Sequence, residues 1–122
     1  MSRFRLPLAV LVVFALALVG SSQAAQKSAK KLFGTVGPGF TITLKTSSGK
    51  TVKSVTAGTY TFVIADKAII HNFHLSGTGV NKKTGVAFKG TSTWKLKLSK
   101  GKTYKFRCDV HPATMKGSFK AT

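Results

Sequence analysis

Cys108, His111 and Met115 fall within the run CDVHPATM and bring a thiolate, an imidazole and a thioether to one short stretch of chain. Cys108 is the only cysteine, and Met115 the only methionine besides Met1. Soft sulfur donors combined with imidazole suit copper, whose trigonal electron-transfer sites take two histidines and a cysteine in the plane and a distant methionine on the axis. That geometry lies between the preferences of Cu(II) and Cu(I), so neither state must rearrange far. A second imidazole is required, and His71 and His74, in IIHNFHL, are the only histidines left to supply it. Zinc seldom uses methionine, and its structural sites usually hold several cysteines. An iron–sulfur cluster needs more thiolates than this chain owns. The residue types therefore point to one copper ion, its fourth donor being His71 or His74.

Donors from two remote stretches need a frame that brings them together. Phe40, Ile42 and Leu44 alternate with Thr41, Thr43 and Lys45; Tyr60, Phe62 and Ile64 repeat the pattern, as do Trp94, Leu96 and Leu98. Tyr104, Phe106 and Cys108 alternate with Lys105 and Arg107, and Gly117, Ser118 and Phe119 follow. A two-residue period is that of half-buried strands, and the glycines between these runs mark turns. The pattern predicts an all-β, Greek-key β-sandwich of seven to eight strands. Trp94, Phe62, Phe106, Phe119 and Tyr60 are its expected core. Cys108 then ends a strand, and the loop after it aims His111 and Met115 before Lys116 and Gly117 open the last strand. The segment from Gly77 to Gly90 reads as a hairpin or loop beside the first ligand. Alternation sets His71 with Phe73 and Leu75 on the inner face and His74 on the other, which favours His71 as the donor.

The amino terminus has the form of an export signal. Arg3 and Arg5 precede an apolar stretch from Leu6 to Val19, and Ser22 and Ala24 supply the small residues of a cleavage site. The apolar stretch is shorter than the roughly 20 residues that span a bilayer. Residues 1–24 are thus expected to be a signal peptide, 25–31 a flexible basic lead-in, and 32–122 the copper-binding domain. A secreted or periplasmic location follows. There an unpaired thiol is a liability unless buried or bound to metal, which strengthens the case for ligation by Cys108.

Charge limits the partners. Lysine and arginine number 20 against 2 acids, a net charge of +18. Such a field favours anionic surfaces, including acidic redox proteins, membranes and wall polymers. The lysines are scattered through strands and turns, and no basic helix or nucleic-acid motif is present, so nucleic acid is not expected as a partner.

The runs HNFHL and YKFRCDVHPATMKGSF, with the strand pattern between them, resemble the cupredoxins, small blue copper proteins of the plastocyanin, amicyanin and pseudoazurin kind. The resemblance extends from about Leu32 to the end. It implies His71 and His111 as the two imidazoles, Cys108 as the equatorial thiolate and Met115 as the axial thioether. It also implies that Asn72, next to the first histidine, locks the ligand loop and hydrogen-bonds near the sulfur. Plastocyanin-like proteins usually place four residues between histidine and methionine and amicyanin-like ones two; here there are three. A reduction potential is therefore not transferable. The acidic docking patch of photosynthetic plastocyanins is ruled out, because Asp66 and Asp109 are the only acids.

These readings lead to an exported one-electron carrier, monomeric, that cycles one type-1 copper and transforms no substrate. Electrons are expected to pass through His111, beside apolar Pro112 and Ala113, to or from a redox protein with an acidic docking surface. Peripheral association with an anionic membrane or wall also fits the charge. The alternatives are a module that binds and delivers copper without redox turnover, and a metal-free β-sandwich with a buried cysteine. Multicopper enzymes need more histidines than this chain has.

Overall fold

Apolar residues recurring at every second position fold residues 30–122, the part of the chain that the computed structural model describes, into nine strands. They are β1 (Lys30–Val36), β2 (Ile42–Thr46), β3 (Ser54–Val55), β4 (Gly58–Asp66), β5 (His74–Gly77), β6 (Val80–Lys83), β7 (Gly90–Leu98), β8 (Thr103–Arg107) and β9 (Lys116–Ala121). The expected signal peptide, residues 1–24, and residues 25–29 of the expected lead-in lie outside the described residues. The expected boundary at Leu32 falls inside β1, where Lys30 and Lys31 already pair with Tyr60 and Thr61.

Two sheets form the sandwich. One is four-stranded, in the order β2-β1-β4-β7; the other is five-stranded, in the order β3-β9-β8-β5-β6. All pairs are antiparallel except β1 with β4 and the short β3 with β9. The chain crosses between sheets after β2, β3, β4, β6 and β7, so both sheets are needed before either is complete. The two-residue β3 takes the number of strands past the seven to eight expected. It is too short for any period to show in sequence. The Gly77 to Gly90 segment contains the second half of a tight hairpin, β5 to β6, before the chain passes to β7.

Leu32, Leu44, Phe62, Ile64, Phe73, Leu75, Leu98, Tyr104 and Phe119 fill the space between the sheets, each at most 2% exposed. Burial of one such side chain contributes about 1.5–3 kcal/mol, and this apolar layer is the main force holding the sheets face to face. Tyr60 and Phe106 are buried as expected; Trp94 only packs against the cluster from its rim. Phe40 does not belong to a strand. The alternation starting there is real only from Ile42, because the turn through Pro38 and Gly39 precedes it, and Phe40 stands 64% exposed.

One end of the sandwich gathers the loops that matter for chemistry: 37–41 after β1, 67–73 after β4, and 108–115 after β8. The first two are fastened together. Gly37 N–H donates to Thr41 O, and Lys67 N–H donates to Val36 O. Gly37 has φ of +72°, and a Cβ there would sit 2.9 Å from the Cβ of Ala68, so only glycine allows this approach without strain.

Candidate metal centre

Cys108 lies one residue past β8 with its side chain wholly buried. The loop that follows closes on itself: Cys108 N–H donates to Met115 O at 2.9 Å, and the N–H groups of His111 and Met115 donate to Cys108 O and His111 O at 3.1 and 3.0 Å. This ladder fixes where His111 points and returns the chain to β9. Met115 is fully buried in the same core cluster as Cys108.

From the other sheet, β4 runs out at Asp66, and residues 67–73 carry the chain across to β5. Asp66 Oδ2 accepts from Thr84 Oγ at 2.7 Å, and Thr84 Oγ accepts from Phe73 N–H at 2.9 Å. These buried bonds tether the crossing segment at both ends and bring His71 inward. His71, Asn72 and Phe73 are all buried, so the two-residue alternation fails at Asn72; the segment is irregular until β5 begins at His74.

Three donor atoms converge. His71 Nδ1 and His111 Nδ1 are 3.2 Å apart, and Cys108 Sγ is 3.8 and 3.7 Å from them. A circle through the corners of that triangle has a radius of about 2.1 Å, close to the usual metal–imidazole and metal–thiolate bonds of about 2.0–2.1 and 2.3 Å. With both Nδ1 lone pairs and a thiolate turned to one point, the corners would repel, and a cation at the centre satisfies all three at once. Asn72 N–H points at Cys108 Sγ at 3.4 Å. His71, Cys108, His111 and Met115 form a cluster consistent with one type-1 copper.

The surroundings of the two imidazoles differ. His71 is fully buried, and its Nε2 is the sole buried side-chain polar atom without a hydrogen-bond partner among the described residues. Packing orients this ring in place of the outer hydrogen bond that metal-bound histidines usually make. His111 is half-buried. The ring of Phe40 stands edge-on to both, with centroids 5.1 Å from His71 and 5.0 Å from His111. Sequence reasoning missed Phe40, since its alternation with Ile42 and Leu44 made it look like a strand residue.

His74 is not at the corner. It faces the opposite side of β5, and its Nδ1 bonds Asp109 Oδ1 at 2.8 Å while Nε2 bonds Asn81 Oδ1 at 2.6 Å. Asp109 is the hub of a network the sequence left open. Asn72 Nδ2 donates to Asp109 Oδ2 at 2.9 Å and to Thr84 O at 3.2 Å, while Asp109 N–H donates to Asn72 Oδ1 at 2.7 Å. Arg107 Nε adds a 3.0 Å bond to Asp109 Oδ1. Partial burial pushes the Asp109 carboxyl up, but the bonds from Asn72, His74 and Arg107 outweigh it and hold the pKa down at about 2. Asn72 thus locks the loop through Asp109, on the residue next to the thiolate.

The sequence matches no family model and no curated protein. The fold does have relatives among solved structures. Reduced rusticyanin superposes with a TM-score of 0.55 at 20% identity, over 79% of this chain and 82% of that one. A methionine-to-glutamine mutant of rusticyanin gives 0.50 at 20% identity, over 79% and 80%. A chain in a heme-copper terminal oxidase dimer gives 0.53 at 17% identity, over 75% of this chain and 63% of that one. The fold is therefore the cupredoxin fold, with rusticyanin among its structural neighbours. The site carries the His–Cys–His–Met geometry of a type-1 copper centre.

Proposed function

We propose that this chain is an exported one-electron carrier in which His71, Cys108, His111 and Met115 would hold one copper ion. A copper ion held there would supply the one-electron couple between Cu(II) and Cu(I). The observation that carries this reading is the triangle of two imidazole nitrogens and a thiolate at metal-bonding spacing, assembled from opposite sheets.

What the chain's own residues do follows from how they are held. The loop ladder from Cys108 to Met115 and the Asn72 bonds to Asp109 leave the corners of the triangle little freedom, so a change of oxidation state meets an unchanging cage. Burial of Cys108 and Met115 keeps water from the sulfurs. The half-buried ring of His111 is the group nearest to solvent among the ligands, and it is the port we assign to the electron. Exposed apolar side chains sit on the same three loops: Phe40, Ile69, Ile70 and Val110 are four of the seven large hydrophobics exposed in the described residues. Apolar surface around a conducting edge supports brief contact with a redox protein. We assign the chain no substrate of its own.

The test is addition of Cu(II) to the purified protein, followed by absorption spectroscopy and a cycle of reduction and reoxidation. An intense blue sulfur-to-copper band that bleaches and returns is expected, and Cys108→Ser should abolish it. A colourless complex would move the reading to copper delivery, and no binding would leave a metal-free sandwich.

A further inference from the structure

The register of the five-stranded sheet lines basic side chains up on its outer face. Lys83, His74, Arg107 and Lys116 lie side by side across β6, β5, β8 and β9, with Arg107 directly opposite Lys116. The next row holds Ser76, Lys105 and Ser118, and beyond it Thr103 pairs with Lys120. Like charges directly opposite on a sheet are unfavourable unless an anion meets them. Of the chain's two acids, Asp66 is buried and Asp109 meets only His74 and Arg107 of this row, which leaves Lys83 and Lys116, and Lys105 of the next, for an outside anion. On this face lies a concave groove of about 550 Å³, lined by the cations Lys53, Lys105, Arg107 and Lys116 and by Ser76 and Ser118. Pro112 also lines it, so the groove reaches the loop that carries His111.

The four-stranded sheet is a built-in control. Its outer face carries Lys31, Lys95 and Lys97, all exposed, which β1 and β4 place toward the end remote from the metal centre, beside Thr59 and Thr61, and Lys45, which stands mid-sheet opposite Phe33. Toward the metal end the same face shows Thr35, Thr43, Ala65 and Thr91. Among strand residues, the row next to the metal centre carries basic side chains on the five-stranded sheet alone; Lys67 and Lys89 lie in loops at the same end.

We propose that the groove across β5, β8 and β9 is the docking site for an acidic, protruding segment of the redox partner, seated so that its cofactor faces His111. This rests on the electron-carrier reading above and adds where and how the partner sits. Four cations with hydroxyls between them match carboxylate side chains in charge and hydrogen bonding. A concave slot takes a ridge of a folded protein, whereas a planar bilayer meets only its rim.

The experiment compares Lys53→Gln/Lys105→Gln/Lys116→Gln with Lys31→Gln/Lys95→Gln/Lys97→Gln, which remove equal charge from opposite sheets. The probe is a plant-type [2Fe–2S] ferredoxin with an acidic surface. Affinity is read by calorimetry, and electron transfer to the copper protein by stopped flow, with hexaammineruthenium(II) as a small reductant that needs no docking. The groove variant should lose roughly tenfold or more in affinity and in rate at low salt. The opposite variant should stay within about twofold, and ruthenium reduction should not change in either. Equal losses in both variants would overturn the groove and leave only net charge. So would binding to phosphatidylglycerol vesicles that depends on the groove while ferredoxin binding does not. A protein that binds ferredoxin in the groove but cannot be reduced would sink the carrier and keep the docking site. One that ruthenium reduces, with ferredoxin affinity blind to both variants, would do the reverse.

Discussion

The two segments that supply the donors are held by different means. Residues 108–115 fasten themselves, through backbone bonds from Cys108 to Met115 and between them. Residues 67–73 have no such ladder; they are pinned by Gly37 packing on Ala68, by Thr84 between Asp66 and Phe73, and by Asn72 reaching to Asp109. A short loop can carry its own geometry, while a donor brought from another sheet depends on side chains that happen to meet it. His111 should therefore be robust to changes elsewhere, and His71 fragile.

The largest effect that would break this contrast comes from Asn72→Ala. It removes three side-chain hydrogen bonds at once and leaves Asp109 N–H without its acceptor, for an expected loss of about 3 kcal/mol in chemical denaturation. If stability and copper affinity both stay at wild-type values, the loop and the crossing segment are not coupled through this residue. Gly37→Ala comes next. A side chain at φ of +72° and the approach to Ala68 should cost about 2 kcal/mol and weaken copper binding through His71. Phe40→Ala sharpens the comparison further. Its ring edges contact both imidazoles from an exposed position, so stability should fall by less than about 1 kcal/mol while the copper spectrum shifts. The last effect is present near neutrality and vanishes in acid. The Asp109 carboxyl is held at about 2 in the folded protein, below its usual value of about 3.9, so it stabilises the metal-free fold above pH 4 and stops doing so as pH falls toward 2. Asp109→Asn should lower the melting temperature near neutrality and converge on wild type at the acid end.

The same contrast explains what the sequence made legible. Cys108, His111 and Met115 could be read because they are contiguous and their residue types are rare in this chain. His71 could be narrowed to one of two histidines by elimination, then favoured over His74 by alternation and by the dipeptide His71-Asn72. That alternation led to the right histidine although the segment is not a strand, since Asn72 is buried beside it. Phe40 and the Asp109 network were out of reach. Their contacts join residues some thirty or more positions apart, and only the crossing of the chain between sheets brings them together. Among the strands, the long amphipathic ones declared themselves, whereas β3 is two residues long and β1 hides its period behind Gly34, where Ile64 and Phe73 fill the space a side chain would take.

The parallel pairing of β1 with β4 has one more consequence. Lys30 stands opposite Tyr60, and six residues later Val36 stands opposite Asp66, where β4 releases the chain toward His71. β1 thus spans about 20 Å, and Lys30 stands at the end of it away from the loops of the candidate metal centre. A fusion partner or immobilisation tag joined just ahead of Lys30 is attached at that end and leaves the loops that carry His71 and His111 turned outward.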